Sequence, residues 1–135
     1  MRILVIDSQG GGIGKQVIAA VKKNNPEHVI TAVGTNSAAT ANMLKAGADH
    51  GATGENAVVV GCRKNDVIVG PIGIVITDAL YGEVTPKMAQ AVGQSSARRI
   101  LIPINHCDNT IVGVSDYSIG KLVDEVVASI NDIKL

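Results

Sequence analysis

The sequence predicts a three-layer α/β fold, doubly wound about a mainly parallel sheet, in a single domain covering residues 1–135. Three observations predict it. Short runs of branched aliphatic residues alternate with segments of helical periodicity, and a glycine-rich loop joins the first such run to the first helix. The apolar content of 46% is built from Val, Ile, Ala and Leu, with two Tyr, no Phe and no Trp, which suits a thin sheet buried between helical layers. A chain of 135 residues also falls near the commonest size of one domain, roughly 100–150 residues.

Taken in order, Ile3 to Ile6 is a branched aliphatic run ended by Asp7 and glycines, as in a strand buried on both faces. Apolar residues then recur at Ile13, Val17, Ala20 and Val21, the spacing of one helical face, until Asn24-Asn25-Pro26 stops it. Val29 to Val33 reads as the second strand, and Asn36 or Ser37 is placed to cap an Ala-rich helix running to Lys45. Between Ala46 and Asn65 the pattern is ambiguous. Ala57 to Val60 fits a strand or a helix capped by Thr53, and the helix is preferred because Asp66 to Pro71 directly afterwards is the better strand. Thr85-Pro86 starts a helix reaching about Val92, since the Thr hydroxyl caps free amides and proline loses nothing at the first helical position. Arg99 to Ile104 is a further strand, and Ile111 to Val114 is expected as a short edge strand. The last helix carries Ile119, Leu122, Val123, Val126, Val127, Ile130 and Ile133 as one apolar stripe.

Composition excludes several classes of function. Twelve basic and twelve acidic residues cancel without clustering, so the field that would hold nucleic acid is missing. No run approaches the roughly 20 apolar residues of a membrane span. The opening Met1 to Asp7 lacks the features of a signal peptide, and Cys62 and Cys107 are too few for a disulfide framework. The expectation is a cytoplasmic protein with both cysteines as thiols.

The segment Asp7-Ser8-Gln9-Gly10-Gly11-Gly12-Ile13-Gly14-Lys15 lies where a Rossmann-like fold places a phosphate. Glycines let backbone approach the ligand, and free amides at the positive end of a helix favour negative charge. The dinucleotide spacing G-x-G-x-x-G wants glycine at Gln9, so Gly11 and Gly14 alone fit. Gly12-Ile13-Gly14 also resembles the end of the short-chain dehydrogenase loop, whose first glycine is here Ser8. A phosphate-loop nucleotidase would place its Gly-Lys pair at Gly14-Lys15 but wants glycine at Gln9 and a hydroxyl at Gln16. The missing hydroxyl argues against Mg²⁺-dependent ATP hydrolysis. Asp7 would repel a pyrophosphate unless satisfied, and bracing the loop by accepting backbone N–H bonds is the plainer role for it.

After the second strand, where NAD proteins carry a ribose-binding carboxylate, stands Gly34-Thr35-Asn36-Ser37. That slightly favours NADP over NAD and leaves a mononucleotide open. A doubly wound sheet gathers its C-terminal strand ends on one edge, so Asp7, Gly34-Thr35-Asn36, Gly70-Pro71-Ile72-Gly73 and Asn105-His106 should share one crevice.

For catalysis there is no G-x-S-x-G, H-E-x-x-H or C-x-x-C, and Tyr81 and Tyr117 lack the Tyr-x-x-x-Lys pair. His106 and Cys107, joined by Cys62 or His50, offer soft metal ligands or a thiol–imidazole pair without ligand spacing; no metal site is expected. Asp78 and Glu83 read first as a solvated turn, with acid, base or Mg²⁺ ligand as the alternative.

Taken together, Gly10-Gly11-Gly12-Ile13-Gly14-Lys15, Ala32-Val33-Gly34-Thr35-Asn36-Ser37, Met43-Leu44-Lys45-Ala46-Gly47-Ala48-Asp49, Ala52-Thr53-Gly54-Glu55-Asn56-Ala57 and Gly70-Pro71-Ile72-Gly73 resemble an uncharacterised family of small bacterial proteins, catalogued as a domain of unknown function and associated mainly with anaerobic Firmicutes. The likeness continues through Gly82-Glu83-Val84-Thr85-Pro86 and Ile102-Pro103-Ile104-Asn105. It implies a Rossmann-like fold and assigns no reaction. The expectation is a nucleotide-binding domain, NAD(P) first, with phosphate on the Gly10 to Gly14 amides and ribose near Thr35 and Asn36. A homodimer partner would supply the missing second wall, or the protein senses the cofactor without turnover. The alternatives are a non-catalytic interaction module in which the glycine loop is only a turn, or a degenerate phosphate-loop binder.

Overall fold

The computed structural model describes residues 1–104, 108–114 and 118–134. Asn105, expected in the crevice, lies outside them, as do His106, Cys107 and Tyr117. The elements run β1 (Arg2–Asp7), α1 (Gly12–Asn24), β2 (Val29–Gly34), α2 (Ser37–Lys45), β3 (His50–Thr53), α3 (Glu55–Lys64), β4 (Val67–Pro71), a 3₁₀ turn (Ile72–Val75), α4 (Pro86–Gln94), β5 (Arg98–Ile102) and α5 (Ile119–Asn131). The five strands form one sheet in the order β3-β2-β1-β4-β5, and every ladder is parallel.

Alternate residues of the central strands serve opposite helical layers, as a pleated strand requires. Ile3, Val5, Val67 and Val69 pack with α1, α2 and α5 through Val17, Ile18, Met43, Val123 and Val126. Leu4, Ile6 and Ile68 pack with α3 and α4 through Val58, Cys62, Met88 and Val92. Each fully buried Ile, Leu or Val contributes roughly 1.5–3 kcal/mol, so the two layers hold the sheet from both sides. Local chemistry sets most boundaries. Asn36 caps α2 by accepting from the Ala39 amide, and Thr85 caps α4 by accepting from the Met88 amide with Pro86 at the first position.

Three expectations are corrected. Thr53 is the last residue of β3 and caps nothing; α3 starts from Gly54, whose φ of 100° ends the strand without a side-chain cap. β3 carries no sequence signal of its own, because His50–Thr53 is an edge strand with all four residues exposed and no apolar alternation marks it. Ile111 to Val114 forms a turn instead of a strand, the Val114 amide donating to the Ile111 carbonyl around Gly113 at φ 85°. In α5 the apolar stripe is buried at Leu122, Val123, Val126 and Ile130, while Ile119 is 44% exposed at the helix start.

The winding reverses between β1 and β4, so the carboxyl ends of these neighbours open the crevice at which doubly wound sheets bind ligands.

Candidate functional site

β1 delivers Asp7 to this edge with its side chain buried. Its Oδ1 accepts from the Ser8 amide at 2.8 Å, and its Oδ2 accepts from the Gly14 amide at 2.7 Å. Gly14 is the third residue of α1, a helix with no side-chain cap and no acid in its first turn. Asp7 is therefore the acceptor that satisfies the helix entrance. Burial pushes the Asp7 carboxyl up from its ordinary value; the Gly14, Ser8 and Ile13 amides pull it back, and the negative charge of Glu83 adds to the rise.

The loop between them is tightly held. Gln9, Gly10 and Gly11 have φ of 44°, 91° and 70°, and the Gly11 amide donates to the Ser8 carbonyl at 3.1 Å. A Cβ on Gly11 would be strained by its left-handed backbone and would lie 2.7 Å from the Ala39 carbonyl oxygen. Asn42 on α2 donates to the Gly10 carbonyl at 2.6 Å. Gly12 is exposed, and a Cβ built there, as at Gly10, meets no described atom within 4 Å. Among the described residues, the amides of Gln9, Gly10 and Gly12 have no hydrogen-bond partner.

Register brings the other strand ends alongside. Asp7 pairs with Gly34, Gly34 with Thr53, and Pro71 with Ile102. The Thr35 amide donates to the Asp7 carbonyl at 3.0 Å, and the Gly34 amide to Thr40 Oγ1 at 3.2 Å. Gly70 and Pro71 are buried, and a Cβ on Gly70 would lie 2.6 Å from the Ile6 carbonyl oxygen, so this glycine permits close approach of β4 to β1. Asp7, Ser8, Gly34, Thr35, Asn36 and Pro71 thus share one edge. Ser8 and Gly14 contribute their amides to Asp7 and have none left for an anion.

Glu83 lies part-exposed in the turn expected before the capped helix, and it also makes contacts that the sequence does not announce. Thr35 Oγ1 donates to Glu83 Oε1 at 3.0 Å, and Asn36 Nδ2 donates to the same oxygen at 2.7 Å. A carboxylate therefore stands beside the end of β2 after all, delivered from the β4–α4 connection. Its carrier loop is closed by backbone bonds from Asp78 to Val84, Val84 to Ala79, Gly82 to Asp78 and Glu83 to Leu80. The loop is pinned by buried Ala79, Leu80 and Val84. No nearby sequence signal announces this, because Glu83 and its partners are 47 and 48 residues apart.

The metal and thiol candidates separate. His50 begins β3 at one edge of the sheet, on the far side of β2 and β1 from β4, and Cys62 lies on α3; His106 and Cys107 lie outside the described residues. Cys62 packs beneath α4, and burial pushes its thiol up to about 11, so it is protonated at neutral pH. Among the described residues no group of three or more His, Cys, Asp or Glu is placed to hold a metal ion, and no helix is long and apolar enough to cross a membrane.

A pH prediction follows from the carboxylates. Asp7 is raised in the fold, so its contribution grows as pH falls through that raised value. Asp49, bonded to Lys22 and the Ile30 amide, and Asp66, bonded to Arg2, are lowered; their contributions are intact above the unfolded value near ~4 and are lost as pH falls further. The stability difference between wild type and Asp7→Asn should therefore rise between pH 7 and pH ~4 in urea unfolding series, because Asp49 and Asp66 cancel in the comparison. A flat difference contradicts the assignment.

Sheet order, switch point and a glycine loop entering α1 define a Rossmann-like α/β protein. The chain belongs to the family described as Domain of unknown function (DUF3842), whose model matches residues 2–134. No curated protein matches it. Among solved structures, it is similar to a dodecameric FMN-dependent UbiX-like decarboxylase from Escherichia coli O157:H7, with 13% identity, a TM-score of 0.47, and coverage of 98% of this chain and 92% of the other.

Proposed function

We propose that the chain binds a small nucleotide, its phosphate held on the Gly10 and Gly12 amides at the mouth of the β1–α1 loop. The observation that carries this reading is Gly12: the first residue of a helix, exposed, free of steric obstruction, with an amide that no described residue uses. The left-handed Gln9–Gly11 backbone beside it is the kind of turn in which successive N–H groups form an anion-binding concavity. Compared with a dinucleotide loop in which the helix amides are all free, the site is shallower, because Asp7 takes the Gly14 amide. NAD(P) is the finer form of this reading, with ribose beside Thr35 and Asn36. A second copy of the chain would wall the exposed side of the ligand, so a homo-oligomer belongs to the proposal.

The Asp7 bonds favour one other reading, an interaction module in which a self-satisfied glycine loop is only a turn. Thermal unfolding with AMP, ADP, NAD, NADP and FMN separates the two. A ligand at one hundred times its Kd stabilises by about 2.7 kcal/mol, which reads as a shift of several degrees. The expected result is a shift with at least one of these nucleotides that disappears in Gly12→Asp. That variant should keep its fold, since the new side chain enters open space and a negative charge at a helix N-terminus is favourable by about 0.3–1 kcal/mol. No shift with any of them would overturn the proposal and leave the turn.

A further inference from the structure

Resting on the nucleotide reading above, we infer that Glu83 is the specificity-determining residue of the site, a hydrogen-bond acceptor that selects a ribose with free hydroxyls and rejects one bearing a 2′-phosphate. The sequence places no acid after β2, and on that ground alone a 2′-phosphate would be tolerated. The structure reverses this by bringing a carboxylate to the same place from a distant loop. One oxygen, Oε1, takes the hydroxyl of Thr35 and the amide nitrogen of Asn36. Asn36 is itself fixed, since its Oδ1 accepts from the Ala39 amide at 2.9 Å. Two donors on one oxygen fix the plane and direction of the carboxylate. The second oxygen, Oε2, has no bond to any described residue, and Glu83 remains part-exposed. An ionised carboxylate accepts only, so Oε2 suits a hydroxyl donor and repels a phosphate dianion.

The backbone that presents Glu83 is unusual in a way that a plain connection does not require. Asp78, Leu80 and Tyr81 adopt φ of 65°, 59° and 58°, with Gly82 at 83°. Left-handed non-glycine residues are individually unfavourable and persist where surrounding structure over-determines them, most often at ligand sites. Here the buried Leu80 and Val84 anchor the strained turn on either side of the glutamate, and Tyr81 is left fully exposed. The strained turn aims Glu83 at the end of β2.

Calorimetric titration of the full chain with NAD and with NADP, which differ only in the 2′-phosphate, tests the inference. A hydrogen bond to a charged group corresponds to roughly tenfold to hundredfold in affinity. The expected result is binding of NAD at least about tenfold tighter than NADP, with the preference reduced to about threefold or less in Glu83→Gln. Thr35→Val, which removes one of the two bonds orienting the carboxylate and keeps the charge, should weaken NAD while NADP stays weak; this variant reads the inference even if Glu83→Gln fails to fold. Equal affinities in wild type, or a preference that survives Glu83→Gln in a folded variant, would overturn the selectivity and leave nucleotide binding standing. Binding of FMN with neither NAD nor NADP would do the same, because FMN carries no ribose ring. Failure of every nucleotide to bind would overturn both.

Discussion

Asp7→Ala is expected to destabilise the chain by about 2–4 kcal/mol, a large share of the 5–15 kcal/mol that holds a typical domain together. The substitution leaves the Ser8 and Gly14 amides without their acceptor at 2.8 and 2.7 Å. Each unsatisfied buried donor costs about 1–3 kcal/mol. Removing a carboxylate that burial already disfavours returns part of that sum, which is why the expected loss lies below the simple total. Alanine has no acceptor to offer, and the α1 entrance has no other side-chain cap. Urea unfolding at neutral pH measures the loss. A change under about 0.5 kcal/mol, the range of an ordinary surface substitution, would mean that Asp7 does not brace the loop.

The second large effect is steric. Gly34→Ala should cost about 3 kcal/mol and lower the melting temperature by roughly 10 °C. A Cβ at Gly34 would stand 2.5 Å from Thr40 Oγ1, 2.6 Å from the Asn36 carbonyl oxygen and 2.6 Å from the Thr40 amide nitrogen. Two of these atoms are backbone, so no rotamer change relieves them. Moving α2 away would break the Thr40 hydroxyl contacts to the Ala52 carbonyl and to Thr53, and would shift Thr35 and Asn36 off Glu83. Gly12→Ala is the contrast: with nothing within 4 Å of its Cβ, it should be neutral or slightly stabilising. Equal melting temperatures for the two variants would contradict the packing described at the end of β2.

What the sequence disclosed divides along the range of the interactions concerned. Ile3 to Ile6, the Asn36 cap and the Thr85-Pro86 helix start were legible because each depends on residues within a few positions. The doubly wound order followed from alternating elements. β3 was not legible, since an exposed four-residue edge strand containing Gly51 and Ala52 carries almost no hydrophobic signal. At the site, the glycine loop and the gathering of strand ends were readable, and Asp7 as a brace was the plainer of two roles the residues offered. The turn carrying Glu83 was readable, but its contacts were not, because they are decided by a loop whose left-handed Leu80 and Tyr81 follow no local propensity. Nothing in the spacing of Thr35, Asn36 and Glu83 reveals that they meet.

The most direct measurement is the amide spectrum of the ¹⁵N-labelled chain during titration with NAD. With the phosphate on the outward amides, the Gly10 and Gly12 resonances move furthest, while Ser8 and Gly14, bonded to Asp7, move least within the loop. Unchanged Gly10 and Gly12 resonances at saturating nucleotide would contradict a phosphate site at the start of α1.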